Sequence, residues 1–83
     1  MDHQLKTWPV YFWDVVSGAK TFEIRKNDRK FKAGDTLTLR EWDPDEKKYT
    51  GTEKIVKVDY VLSLNGLPEM PKGFVGMSIY DAA

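Results

Sequence analysis

The sequence predicts a mainly β fold of the α+β class, a small closed or nearly closed barrel of about five to six short strands with one helix near the N-terminus. Three observations predict it. Several short stretches alternate apolar with polar residues, the pattern of strands that bury one face. One segment only, near Trp8 to Ser17, repeats its apolar residues at helical spacing. Without further helices to cross over between strands, a barrel is favoured over a parallel α/β sheet.

The 83 residues leave room for a single domain, residues 1–83, with one modest core. Hydrophobic residues at 41% and charged residues at 31% belong to a chain that folds rather than one that stays disordered. No cysteine is present and the only histidine is His3, so disulfides, thiolate sites and histidine clusters are excluded, and neither metal nor cofactor is expected. His3 itself reads as a surface or capping side chain. No apolar stretch approaches the roughly 20 residues that span a bilayer, and no leader pattern is present, which makes the cytoplasm the default location and excludes a membrane partner. A monomer is the default state.

The elements follow in order. His3 to Lys6 fits a short edge strand. Thr7 is placed to cap a helix over about Trp8 to Ser17, with Pro9 in the first turn and Gly18 ending it. Trp8, Phe12, Val15 and Val16 form its apolar stripe, and of Tyr11 and Trp13 at least one should be partly exposed. A strand over Thr21 to Lys26 turns Phe22 and Ile24 to the core and Thr21, Glu23 and Arg25 to the other face. Asn27 to Asp35 reads as a basic loop pinned by Phe31. Thr36 to Trp42 is a strand with Leu37 and Leu39 inward, and alternation puts Trp42 on the polar face with Arg40 unless a bulge turns it in. Residues Asp43 to Gly51 form a hairpin loop. In Ile55 to Leu62, Val56, Val58, Tyr60 and Leu62 share a face. Leu67 to Gly73, with two prolines, is irregular, and Phe74 to Tyr80 offers Val75, Met77 and Ile79 to the core.

Formal charge is zero, but residues 1–40 carry 8 basic against 5 acidic side chains and residues 41–83 the reverse. The excess concentrates in Lys20, Arg25, Lys26, Arg29, Lys30 and Lys32, opposed only by Glu23 and Asp28. A patch of that kind attracts phosphate, and its alternative is a solvated loop. No Gly-rich phosphate loop, metal-binding carboxylate set or Ser/His pair is present, which leaves phosphoryl transfer, metallohydrolysis and triad chemistry without support.

The runs Leu5-Lys6-Thr7-Trp8-Pro9, Gly18-Ala19-Lys20-Thr21-Phe22-Glu23-Ile24-Arg25-Lys26-Asn27-Asp28-Arg29, Gly34-Asp35, Glu41-Trp42-Asp43-Pro44 and Tyr49-Thr50-Gly51 closely resemble a small bacterial and phage family of unknown function that is similar to the ASCH superfamily. The resemblance covers nearly the whole chain. It implies a PUA-like β-barrel with a helix across one opening and a cleft beside Gly18 to Arg25 that binds RNA or a nucleotide. A second branch of the superfamily resembles an amidohydrolase that deacetylates a modified cytidine with a lysine, a threonine three residues later and a distant glutamate. The lysine matches Lys20, but the residue three positions on is Glu23, so the expected nucleophile is missing and only a shifted set of Lys20, Thr21 and Glu23 remains.

The leading expectation is therefore an RNA- or nucleotide-binding module in which Lys20, Arg25, Lys26, Arg29 and Arg40 contact phosphates, Trp42 or Trp13 stacks a base, and Glu23 orients Arg25 or accepts from a base edge. The rivals are a small amidohydrolase acting on a modified nucleoside and a phage or bacterial protein-interaction domain without a ligand.

Overall fold

In the computed structural model, which describes residues 1–82, the chain forms one mostly β layer curled into a half-barrel. Its elements are β1 (Asp2–Thr7), α1 (Pro9–Val16), β2 (Phe22–Lys26), β3 (Thr36–Asp43), β4 (Lys48–Ser63) and β5 (Phe74–Asp81). They pair in the order β1-β3-β4-β5-β2, with β1 parallel to β3 and every other pair antiparallel. The fold class is as the alternation predicts. The barrel stays open between its two edge strands, β1 and β2.

The concave face buries Leu5, Phe31, Leu37, Leu39, Val56, Val58, Val75, Met77 and Ile79, and α1 adds Phe12 and Val15. The helix is shorter than its sequence pattern: Trp8 is the N-cap, without a side-chain cap bond, and Thr7 turns its hydroxyl to the Leu5 carbonyl. Only Phe12 and Val15, one turn apart, reach the core. Trp8 and Val16, expected in the stripe, are exposed, because an eight-residue helix lying across the mouth of a small barrel can bury only its narrowest face.

Three further expectations are corrected. Phe22 and Ile24 point outward and Glu23 inward, so β2 presents the opposite face to the core from the one its apolar residues suggest. Tyr60 and Leu62 are exposed although Val56 and Val58 are buried. The β4–β5 register gains one residue at Asp59, between Val58 and Tyr60, and a one-residue bulge sends every later side chain to the other face, so Val61 packs on the core instead. His3 is buried: its ring packs edge-on against Phe31 at 4.8 Å, and its Nε2 lies 2.8 Å from Asp35 Oδ2. That hydrogen bond holds the Asp35 carboxyl below the ordinary value of 3.8, against the opposing effect of burial. The β3–β4 ladder is also irregular, but the extra residues lie in β4 around Gly51. Trp42 therefore keeps its alternating position on the outer side, half-buried against Tyr49.

Bond direction along the open seam follows from the ladder. Thr21 accepts from Ile79 N–H and Asn27 donates to Gly73, so the odd-numbered residues of β2 bond to β5. Phe22, Ile24 and Lys26 must then turn their backbone groups to the free edge. On β1, Met1 accepts from Thr36, which leaves Gln4 and Lys6 facing the same gap from the other side. Arginines cross it: Arg25 Nη1 donates to the Lys6 carbonyl at 3.1 Å and Arg29 Nη1 to that of Gln4 at 2.6 Å.

Candidate functional site

A cleft of about 930 Å3 opens where the seam meets α1. One wall comes from the β1–α1 junction, Lys6, Thr7 and Trp8, continued by Tyr11 and Asp14 one helical stripe further on. The other comes from Ala19 and Lys20 and from Phe22 through Arg25. Gly18 joins the two: with φ of +86° it ends the helix in the left-handed region that a side chain would strain, and the Lys20 N–H then returns to the Asp14 carbonyl at 3.0 Å. This turn sets Lys20 beside the first residues of β2.

Glu23 is the floor. Its side chain is 3% exposed, and a carboxylate so placed must be paired. Lys20 Nζ donates to Oε1 at 2.6 Å and Arg25 Nε to Oε2 at 2.9 Å. The Arg25 fork also reaches Thr7 Oγ1 at 3.3 Å, tying β2 to β1 beneath the cleft. Lys20 Nζ lies 5.2 Å from the Phe22 ring centre and 5.9 Å from that of Tyr11, within reach of both ring faces. The lining thus holds three cations, Lys6, Lys20 and Arg25, against the carboxylates of Glu23 and Asp14, with the half-exposed rings of Trp8, Tyr11 and Phe22 around them.

Of the residues singled out from the sequence, Lys20, Glu23 and Arg25 meet in this cleft. The others lie apart from it. Lys26 is exposed at the far end of β2, and Arg29 is engaged with Gln4. Trp13 points away on α1, its Nε1 donating to Glu41 Oε2 at 2.7 Å. Arg40 pairs with Glu53 and covers the Tyr49 ring at 3.9 Å, while Trp42 stacks edge-on with Tyr49 and lies under Lys6 Nζ at 4.0 Å. Thr21 lines a separate hollow of about 160 Å3 with Gly18 and Lys54, which Lys20 also borders. Sequence reasoning missed Lys6, Thr7, Trp8, Tyr11, Phe22 and Ile24. The spacing of Trp8, Tyr11 and Asp14 at three-residue steps was the available signal, a second helical stripe beside the core one.

Among the described residues, no group of three or more His, Asp or Glu side chains could hold a metal ion, and no helix is long and apolar enough to cross a membrane. The geometry therefore defines a small half-barrel with a polar, aromatic-walled cleft at its seam. The chain belongs to the family described as Domain of unknown function (DUF3850), which matches residues 2–79. An uncharacterized 12.9 kDa protein in GpA 3′ region of Escherichia phage P2 is 48% identical over 40 residues, covering 48% of this chain and 37% of that relative's length.

Proposed function

We propose that this protein is a nucleic-acid-binding module that takes single-stranded RNA, or a nucleotide, in the cleft between β2 and α1. The observation that carries the reading is the combination of half-exposed Trp8, Tyr11 and Phe22 rings with Lys20 and Arg25 held in place by a buried Glu23. Aromatic faces stack bases of any sequence and fixed cations meet the phosphates between them. A volume of about 930 Å3 is of ligand size. The resemblance to the ASCH superfamily and its PUA-like barrel supports the same reading. Glu23 acts here by orienting both cations, since each of its oxygens already accepts a bond.

Binding of a fluorescent single-stranded RNA oligomer, followed by anisotropy across a salt series, tests it. With two or three phosphates neutralised, log K should fall against log salt with a slope of about −1.4 to −2. Tyr11→Ala should weaken binding by about 1–3 kcal/mol with the slope unchanged, and Lys20→Ala should flatten the slope by about 0.7. Affinity unaffected by either substitution would refute the reading.

A second reading, a small amidohydrolase acting on an acylated nucleoside, is favoured by the 2.6 Å contact of Lys20 with Glu23 in a cleft. Among the described residues it lacks a free serine or threonine hydroxyl in that cleft: Thr7 is engaged with Leu5 and Arg25, and Thr21 lines the neighbouring hollow. Hydrolysis of acetylated cytidine by the parent, lost in both Lys20→Arg and Lys20→Ala while RNA affinity holds, would establish it over the binding module.

A further inference from the structure

The cleft lies between the sheet's two free edges, and that position gives it a second kind of lining group besides rings and charges. β1 contributes Lys6 and Thr7 from one edge, and β2 contributes Phe22 through Arg25 from the other. Because Thr21 and Asn27 bond to β5, Phe22 and Ile24 turn both N–H and C=O away from β5 and into the gap. Among the described residues, nothing bonds to these four groups. Backbone groups of this kind take a partner wherever one is offered, and a free strand edge is a template for pairing. The facing edge is already engaged. Arg25 Nη1 holds the Lys6 carbonyl at 3.1 Å and Arg29 Nη1 that of Gln4 at 2.6 Å. A peptide strand inserted between the edges would have to displace both guanidinium groups, whereas a flat group one residue pair long would not. The stretch of β2 open to such a group runs from the Phe22 C=O to the Ile24 N–H, an acceptor followed by a donor. Lys26, the next residue of the same parity, lies outside the cleft.

On the reading of the cleft as a nucleic-acid site, we propose that this main-chain pair binds the Watson–Crick edge of an unpaired base. The Phe22 C=O accepts from a base N–H, and the Ile24 N–H donates to the acceptor beside it. All four bases carry a donor next to an acceptor on that edge: N3–H and O4 in uracil, an N4 hydrogen and N3 in cytosine, an N6 hydrogen and N1 in adenine, N1–H and O6 in guanine. In a duplex the same groups are spent on the opposite strand. The edge of β2 therefore selects unpaired bases over paired ones without selecting a sequence. The rest of the cleft is arranged around the same residues. Lys20 Nζ lies 5.2 Å from the Phe22 ring centre and 5.9 Å from that of Tyr11, so the faces that stack a base and the amine that meets its phosphate stand beside the strand edge that pairs with it.

Fluorescent oligomers of uridine, 3-methyluridine and 5-methyluridine test the inference on the unaltered protein. All three have the same charge and the same ring to stack, but only the 3-methyl group removes the N3–H donor. Oligo-3-methyluridine should bind about tenfold more weakly or worse, with the salt slope unchanged, and oligo-5-methyluridine should bind like oligo-uridine. Amide exchange with water, followed by NMR, reads the protein side. The Ile24 N–H, unbonded in the free protein, should gain protection on addition of oligo-uridine, while the Lys26 N–H, of the same parity but outside the cleft, should stay fast. Equal affinity for oligo-uridine and oligo-3-methyluridine, or an Ile24 amide left unprotected by bound oligo-uridine, overturns the inference and leaves a cleft that works by stacking and charge. Failure of every oligomer to bind overturns that cleft reading as well. Protection of Phe22, Ile24 and Lys26 together by an extended valine–threonine peptide, with none from oligo-uridine, would show that the edge adds a strand and overturns the inference in favour of a protein partner.

Discussion

Three buried carboxylates behave differently because their partners differ. Glu41 accepts only from neutral donors, Trp13 Nε1 and Thr50 Oγ1, each at 2.7 Å. Glu23 accepts from two cations. Removing it would leave Lys20 and Arg25 facing each other without a counterion. Breaking a buried pair from one side costs about 3–5 kcal/mol, but both cations here keep some solvent, so Glu23→Ala should cost about 2–3 kcal/mol in urea unfolding. A loss under about 0.5 kcal/mol would show that water replaces the carboxylate without penalty. Asp35 accepts from His3, from the Lys32 N–H and from the chain's amino terminus at 3.2 Å. Its carboxyl is held below 3.8, chiefly by the His3 bond. A group whose pKa is depressed by folding contributes stability that is complete above its unfolded value and lost as pH falls through the folded one. The melting temperature should therefore drop below about pH 3.8 in the parent, and more shallowly in Asp35→Asn. Parallel acid profiles for the two proteins would remove Asp35 from the account.

At the level of single elements, β3 is the strand on which the core rests, since it pairs with β1 and β4 and carries Leu37 and Leu39, both fully buried. Truncating Leu39 to Ala should cost about 2–5 kcal/mol by leaving a cavity that neighbouring strands cannot fill, a large share of what a domain this size has. Calorimetry reads it directly. Where alternation ran unbroken, as in β3 and β5, the sequence was sufficient to assign the inward residues. It failed at β4 because Asp59 looks like any polar strand residue, and nothing local distinguishes a bulge that reverses the parity of the residues after it. It failed at β2 for another reason. An amphipathic strand has two faces, and choosing the charged one for the interior makes sense only once Lys20, Thr7 and the Lys6 carbonyl are known to converge there from other elements. The site was legible to the same degree: Lys20, Glu23 and Arg25 stand close in sequence and could be grouped, whereas the aromatic wall depends on how α1 crosses the barrel mouth.

For the molecule as a whole, the open seam sets the terms. Two edge strands with backbone groups exposed to one another invite pairing with other chains, and edges of this kind are commonly blunted by charged side chains. Here Arg25 and Arg29 donate into consecutive outward-facing carbonyls of β1, those of Lys6 and Gln4, so the guanidinium groups complete bonds that a sixth strand would have made. This gives Arg29 a task in the fold that competes with any task at the ligand. Were it chiefly a phosphate contact, Arg29→Ala would leave stability alone and flatten the salt dependence of RNA binding by about 0.7. As a staple of the seam it should do the opposite. Loss of a charge-assisted bond at a partly exposed site should lower stability by about 1 kcal/mol, a few degrees in melting temperature for a domain of this length, and leave the salt slope within error of the parent. Amide exchange gives the local readout: His3 and Leu5, whose N–H groups bond to β3, should lose protection in Arg29→Ala as β1 frays, while amides of β5 on the far side of the sheet keep theirs. Unchanged protection of β1 together with a flattened salt slope would transfer Arg29 from the seam to the binding surface.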